Sequence, residues 1–288
     1  MSIIVLLPVF GAFLESALSI VDKKIISSKI KFPNYIVYIF LSIAIVSLPL
    51  MFFFWNVKSG ALELKNLIIF IVIIVSSVFA NFFVFYSLTR EDLSEVEPLR
   101  LTLPLFSILI AFIFSFFFEV YSNERNYSII ALSLIASITL IASHVKKNHI
   151  YFNKYAVAAI IGSFLFAFEL VISKQLLAYY NPITFYFLRS LIIFIIVFSI
   201  FSRKLSWVKN KVKIMMLLLA LIAVLERVIL YYGYQNLGII FTTTLFILAP
   251  VFIYIFAWIF LKEKITTKQI ISSIVIVVCV ITAIVIGR

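Results

Sequence analysis

Five ionisable side chains lie well inside long apolar stretches of this sequence: Glu15, Glu169, Arg189, Glu226 and Arg227. An ionised side chain at the centre of a bilayer costs about 2.5–3.5 kcal/mol, so each must pair, face water or lose its charge. A carboxylate that alternates between charged and neutral forms can carry a proton. A guanidinium can bind a carboxylate or phosphate through two hydrogen bonds. These residues are therefore candidates for ligand binding or proton exchange.

Two of the glutamates occupy related positions. Glu15 follows Gly11 by four residues in a Gly-Ala-Phe-Leu segment, and Glu169 follows Gly162 by seven in a Gly-Ser-Phe-Leu segment. Offsets of four and seven fall on the same face of an α-helix. If those faces line a cavity, the two carboxylates face each other across it and suit proton exchange. The alternative is that each is the static ion-pair partner of one of the arginines.

The remaining candidates have similar alternatives. Arg189 either binds an anionic group of a substrate or pairs with Glu169 or Glu226. Glu226 and Arg227 are adjacent, so they point about 100° apart on a helix. We expect one of them to face a cavity and the other a neighbouring helix. Asn81 either hydrogen-bonds a substrate or bonds between helices.

The elements that carry these residues are apolar runs of membrane-spanning length. Of the 288 residues, 65% are hydrophobic and 12% are charged. A soluble domain carries about 25% charged residues, so this chain cannot cover the surface of a water-soluble globule. A spanning helix needs about 20 apolar residues. Ten runs approach that length: 3–21, 34–55, 67–88, 99–118, 127–143, 155–173, 182–201, 214–234, 239–261 and 269–286. The sequence predicts an all-α integral membrane protein with ten transmembrane helices.

The same composition excludes several classes of function. Most lysines and arginines lie in short segments between the runs, as membrane-flanking charge does, so the net charge of +12 does not indicate a nucleic-acid partner. The only histidines, His144 and His149, lie in a linker and form no metal-ligand cluster. The only aspartates, Asp22 and Asp92, lie near run ends, which argues against a membrane-embedded enzyme. We predict no enzyme activity, no cofactor and no metal.

Short matches recur in the same order in the two halves of the chain. Beyond the two glycine segments, the matched pairs are Lys23 and Lys174, Pro33 and Pro182, Tyr86 and Tyr234, Pro104 and Pro250, and Glu119 and Glu263. An odd number of spans in each copy places the two copies in opposite orientations, with a substrate site near the midplane. We predict two inverted five-helix repeats, residues 1–148 and 149–288, joined by a basic linker.

Two segments of the chain also have a familiar pattern. One reads Ser94-Glu-Val-Glu-Pro98-Leu-Arg-Leu-Thr-Leu-Pro104-Leu-Phe, and the other lies around Pro250 and Phe-Leu-Lys-Glu263-Lys. They resemble the two copies of the fourth-helix signature of the drug/metabolite transporter superfamily, in its EamA-like branch. Residues common in the third and seventh helices of that family are matched by Asn81, Tyr86 and Arg189.

The resemblance implies ten helices around a central cavity lined mainly by helices 1–4 and 6–9, and transport of small metabolites, often amino acids and often outward. Glu15 stands where the family commonly has tryptophan, which leaves the substrate class open. We predict a secondary transporter of a small metabolite, working by alternating access and coupled to protons, in a prokaryotic cytoplasmic membrane. Glutamine at Glu15 or Glu169 is expected to abolish gradient-driven transport and leave folding intact. The alternatives are a lipid-linked-intermediate flippase and a non-transporting membrane accessory protein.

Charge and resemblance disagree about orientation. Most lysines and arginines lie in the loops that follow the odd-numbered runs. The positive-inside rule places those loops in the cytoplasm and both termini outside. The resemblance implies that both termini are inside.

We follow the charge distribution and predict that the basic loop Arg203–Lys213 is cytoplasmic. A cysteine introduced into this loop should resist an impermeant thiol reagent added to intact cells and react after the cells are permeabilised. Labelling from outside the intact cells would instead support the orientation that the resemblance implies.

Overall fold

The computed structural model describes residues 3–88, 99–144, 153–261 and 265–287. Its helices are α1 (Ile3–Ser27), α2 (Phe32–Phe54), α3 (Leu64–Leu88), α4 (Leu103–Phe114), α5 (Tyr127–His144), α6 (Lys154–Leu176), α7 (Pro182–Phe201), α8 (Asn210–Asn236), α9 (Ile239–Phe246), α10 (Ala249–Leu261) and α11 (Thr267–Ile286). Within these ranges the only β pairing is a single bridge between Val57 and Tyr180. The predicted all-α class is confirmed. Several features singled out in the sequence lie outside the described residues: Asp92, Ser94–Pro98, His149, Glu263 and the boundary between the two predicted repeats.

Within the described residues, eight helical segments are long and apolar enough to cross a membrane. They are α1, α2, α3, α6, α7, α8, α11 and the segment Ile239–Phe256, which joins α9 to the first part of α10. The helices α4 and α5 are apolar but shorter. The chain is therefore an integral multi-pass membrane protein, as the composition predicts.

Two of the predicted runs differ from single long helices. The fourth run, 99–118, is helical at 99–100, turns at 101–102 and is helical again over the 12 residues Leu103–Phe114. The side chain of Arg125 donates two hydrogen bonds to the carbonyl of Ser115 just beyond. The ninth run, 239–261, is interrupted between Phe246 and Ala249. Pro250 explains that interruption, because a proline lacks an amide hydrogen and its ring clashes with the carbonyl four residues earlier.

Capping side chains set the first turns of two helices in the second half. The side chain of Asn153 accepts hydrogen bonds from the amides of Tyr155 and Ala156 at the start of α6. Asn181 does the same for Ile183 at the start of α7, which also has a proline in its first turn. These caps satisfy amides that have no partner within the helix, and so fix where each helix begins.

The most extensive helix packing joins the first half of the chain to the second. The largest contacts are α3 with α6, α1 with α8, α2 with α7 and α5 with α11. Small residues permit the closest approaches. A Cβ on Gly11 of α1 would lie 3.0 Å from Ile229 in α8, and one on Gly162 of α6 would lie 2.6 Å from Val84 in α3. Neither half therefore forms its core alone.

The helix ends form two faces. The sealed face carries the loops 55–63, 115–126, 177–181 and 237–238, and the basic face carries residues 28–31 and 202–209. On the sealed face, the amide of Lys58 bonds the carbonyl of Tyr179 (2.9 Å) and the amide of Asn181 bonds that of Asn56 (3.2 Å). Gln235 donates to the carbonyl of Leu177 at 2.6 Å. Loops of the two halves are thus joined across this face.

Candidate functional site

A cavity of about 330 Å³ lies among the helices, lined by residues of α1 to α10. From α1 the lining begins at Glu15 and continues to Ile26, from α2 it covers Tyr35 to Ile43, and from α3 it covers Asn81 to Leu88. Along α1 to α3 the lining therefore runs from mid-helix to the basic face, whereas along α7 and α8 it reaches Tyr186 and Tyr234, near the helix ends at the sealed face.

The cavity brings together most of the residues that the sequence singles out. Its lining includes Glu15, Asn81, Arg189, Glu226 and Arg227. Asn81 donates a hydrogen bond to the carbonyl of Ser77 in its own helix, at 2.8 Å, so its amide oxygen is the group left for a ligand. The tyrosines Tyr186 and Tyr234 add phenol groups to the same wall.

Glu169 is placed differently. It does not line the cavity but lies beneath Arg189, with its Oε2 2.5 Å from a terminal guanidinium nitrogen. The two residues are 1% and 4% exposed. The structure therefore does not have Glu15 and Glu169 facing each other across the cavity. The helical offsets place both glutamates on related faces, but on α6 that face is covered by the arginine of the neighbouring α7.

The guanidinium of Arg189 links four helices. Besides Glu169 of α6, it donates to the hydroxyl of Ser77 in α3 at 2.7 Å and to that of Tyr231 in α8 at 3.4 Å. It also lies over the ring of Tyr186, 5.8 Å from its centroid. Three of its five N–H groups donate to these partners, so the structural alternative for Arg189 accounts for its observed contacts. Its Nε and the Oε1 of Glu169 are buried without a hydrogen-bond partner among the described residues.

Glu226 and Arg227 have few partners. Both line the cavity, contrary to the expectation that one would turn to a neighbouring helix. The Nε of Arg227 is 3.6 Å from a carboxylate oxygen of Glu226, which is too long for a hydrogen bond. Neither of these two atoms is hydrogen-bonded to any described residue. The side chain of Arg227 is 24% exposed against 2% for Glu226, so within this pair Arg227 is the more accessible to a ligand.

Glu15 of α1 and Glu226 of α8 both line the cavity, on two helices that pack against each other. Apolar side chains around them weaken the screening of their charges. Two like charges in such surroundings favour sharing a proton or a bound cation.

A second polar group, which the sequence analysis did not single out, lies nearer the basic face. Asp22, Tyr35 and Arg100 line that part of the cavity, and the Tyr35 hydroxyl donates to Asp22 at 2.8 Å. A signal for Asp22 was present, because it follows Glu15 by seven residues and so lies on the same helix face.

Glu124, which the sequence analysis also did not single out, contributes to closing the sealed face. Glu124, in the loop 115–126, is 3% exposed. Its carboxylate accepts hydrogen bonds from Lys174 (2.6 Å) and from the amides of Ile239 (2.6 Å) and Ile240 (2.9 Å) at the start of α9. Gly238 permits this contact, since it has a φ of 89° and a Cβ there would lie 3.1 Å from the carboxylate. We call Glu124, Lys174 and the start of α9 the latch.

A tyrosine reinforces the latch. The hydroxyl of Tyr121 donates to the carbonyl of Val171 in α6 at 2.9 Å, and the ammonium of Lys174 lies 5.6 Å from its ring centroid. Burial raises the pKa of the Tyr121 phenol well above its ordinary value, so it remains a neutral donor. The loop 115–126 is thereby held to α6 as well as to α9.

The second half of the chain is similar to a known protein family. Residues 153–285 match the EamA-like transporter family, which confirms the resemblance inferred from the sequence. Members of that family are membrane transporters and generally not enzymes. A solved structure described as "Crystal structure of protein" has a TM-score of 0.72 at 14% identity, with 100% of this chain and 99% of that chain covered. This shows a shared fold along the whole length. No curated protein matches significantly.

We expect Glu169→Gln to lower the free energy of unfolding by about 3–5 kcal/mol, because it leaves the Arg189 guanidinium buried without its counter-charge. Thermal unfolding of the purified protein measures the loss, and Glu119→Gln, an exposed position, is the control. The double variant Glu169→Gln/Arg189→Gln should lose less than the two single variants added together. A fully stable Glu169→Gln protein would contradict the structural role and return Glu169 to the proton-exchange hypothesis.

Proposed function

We propose that this chain, whose residues 153–285 match the EamA-like transporter family, is a secondary transporter that exports a small metabolite, an amino acid or a related compound, across the cytoplasmic membrane. The observation that carries the proposal is a cavity of about 330 Å³ at the junction of the two halves, into which Glu15, Glu226 and Arg227 project. That volume falls in the usual range of small-molecule sites, about 300–1,000 Å³. Charges at this depth are costly unless they serve a ligand or an ion.

The architecture that we propose is ten spans in two inverted repeats, residues 1–148 and 149–288. The packing supports it. In the proposed repeats α1 corresponds to α6, α2 to α7, α3 to α8, α4 to α9 and α10 together, and α5 to α11. Exchanging the halves then turns the pair α3–α6 into α8–α1 and leaves the pairs α2–α7 and α5–α11 unchanged. The glycines support it as well. Gly11 and Gly162, matched in sequence, make the close approaches within the exchanged pairs α1–α8 and α6–α3.

Alternating access is supported by the difference between the two faces. Along α1 the cavity lining continues to Ile26 near the basic face, while hydrogen bonds between loops and the latch lie across the sealed face. To reach the sealed face, a substrate must pass the start of α9, which the carboxylate of Glu124 ties to α6 through Lys174. The break between α9 and α10 at Pro250 gives the short α9 a place to move independently.

The proposed roles within the cavity follow from which groups are already engaged. Arg189 is committed to Glu169 and its neighbours, so the anionic group of a substrate is assigned to Arg227, with Asn81 as a polar contact. Glu15 and Glu226 are assigned to proton exchange, since one proton relieves the repulsion between them. Binding of a substrate cation and of a proton at this pair would then compete, which couples the two movements.

Transport by the purified protein in proteoliposomes tests the proposal. Radiolabelled amino acids and related metabolites should accumulate against their gradients when a pH gradient is imposed, and not in vesicles lacking the protein. Movement of a lipid-linked intermediate between leaflets would identify a flippase instead. Absence of transport with every substrate class would favour a non-transporting accessory protein.

We expect Glu15→Gln to abolish accumulation against a gradient but to leave exchange of labelled for unlabelled substrate. The variant removes the titrating group and keeps the shape of the side chain, so the cavity still binds and reorients while the proton step is lost. Uptake under a pH gradient and equilibrium exchange, measured on the same vesicles, separate the two effects. Glu119→Gln controls for loss of a carboxylate elsewhere. Wild-type accumulation by Glu15→Gln, with its usual pH response, would exclude Glu15 from coupling.

We expect Glu124→Gln to weaken the latch and expose the cavity to the sealed face. A neutral amide attracts Lys174 and the helix start of α9 less than a carboxylate does. A cysteine probe at Thr243, a buried cavity residue on α9, placed in a Cys279→Ser background, should then react about tenfold faster with an impermeant reagent applied to the sealed face, equivalent to a shift of about 1.4 kcal/mol.

The control for the latch is Glu119→Gln, which lies in the same loop with its side chain exposed. It should leave the labelling rate unchanged. If Glu124→Gln labels no faster than this control while remaining folded, the latch does not restrict access from the sealed face.

A further inference from the structure

The connection between α7 and α8 is the most basic segment of the described surface. Within Arg203–Lys213 five residues are cationic and none is acidic. All of these cations are exposed except Lys213, which is half-buried. We call this group, together with an exposed tryptophan, the basic platform: Arg203, Lys204, Trp207, Lys209, Lys211 and Lys213.

The basic platform is held rigidly against the start of α2. Asn34 and Ser206 exchange two hydrogen bonds: the Asn34 amide donates to the serine hydroxyl at 2.9 Å, and the Ser206 backbone amide donates to the Asn34 side-chain oxygen at 3.0 Å. Val208 is 5% exposed and belongs to the main apolar core. The charges are therefore presented at fixed places on the molecule.

The positive charge of the platform is not neutralised by the protein. None of the five cations forms an ion pair with any residue in the described parts of the chain. Lys213 lies instead over aromatic rings, 4.7 Å from the centroid of Trp207 and 5.7 Å from that of Tyr38. The neighbouring turn between α1 and α2 adds Lys29 and Lys31, both exposed. The counter-charge for this surface must come from outside the chain.

The position of Trp207 indicates where that counter-charge lies. It is 81% exposed, between the end of one membrane-spanning helix and the start of the next. Tryptophans at such positions lie at the headgroup level of the bilayer. The cations beside it are consequently close to the lipid phosphates, and clusters of four to eight lysines and arginines beside a spanning helix attract anionic lipids.

We propose that the basic platform is a binding site for anionic phospholipid headgroups. A headgroup phosphate there contacts Lys209 and Lys211, with Trp207 alongside the glycerol region. Because Asn34 joins the platform to α2, the bound lipid also connects α7 and α8 to α2. The site is separate from the cavity and does not depend on the protein being a transporter.

Quenching of Trp207 fluorescence by brominated lipids tests the site. With Trp55→Phe and Trp258→Phe, the only remaining tryptophan is Trp207. The full chain is reconstituted into phosphatidylcholine vesicles that contain a minor fraction of either brominated phosphatidylglycerol or brominated phosphatidylcholine. We expect stronger quenching by the phosphatidylglycerol, and a preference that falls about fivefold for each lysine removed in Lys209→Gln/Lys211→Gln.

The matched control is Lys58→Gln/Lys65→Gln, which removes the same charge from the sealed face and should keep the preference. Equal quenching by the two lipids in the unmodified platform would overturn the proposal, as would an unchanged preference in Lys209→Gln/Lys211→Gln. Loss of the preference on adding inorganic phosphate, but not chloride at the same ionic strength, would also overturn it, because the site would then be for a soluble anion.

Discussion

The ion pair of Glu169 and Arg189 is the contact around which the interior of this protein is arranged. It joins α6 to α7 at 2.5 Å, and the same guanidinium reaches α3 through Ser77 and α8 through Tyr231. A buried charge must be compensated wherever water is absent, and leaving one partner alone costs more than the pair itself contributes. This contact therefore links the four helices in the arrangement that the structure shows.

Because Arg189 is paired with Glu169, the charged groups of the cavity that are left for a ligand or a proton differ from those that the sequence spacing suggests. The side chain of Arg227 is partly exposed, Glu226 has an oxygen without a hydrogen bond from the described residues, and Glu15 lines the same cavity from α1. A static structure has no need of such groups at this depth, where each is costly. Their persistence in the cavity is best understood if a ligand or a proton satisfies them during part of a cycle.

The sequence predicts the membrane class and the position of each apolar run, since both depend on composition and length alone. The break in the ninth run was also readable, because Pro250 stands inside it. The short α4 was not readable, since its end coincides with a contact from Arg125, ten residues further on. Glu15 lines the cavity, as its depth in an apolar run suggested, and its role stays a prediction. Glu169 does not line the cavity, because it is paired with an arginine on another helix. No local spacing distinguishes a paired carboxylate from a free one. Glu124 was missed altogether, since it lies in a polar loop and only the fold brings it to the start of α9.

The proposed repeats would make the two halves equivalent in backbone, and yet their side chains are not equivalent. In the lining of the cavity the first half supplies the carboxylates Glu15 and Asp22, whereas the second half supplies Glu226 and both central arginines. A symmetric pair of sites would bind equally from either face and would give an ion no preferred path. The lining is instead uneven, with Glu15 and Asp22 on α1 and Arg189 and Arg227 on α7 and α8. Duplication of this kind can supply two states of similar energy, and divergence of the lining residues then decides what each state binds.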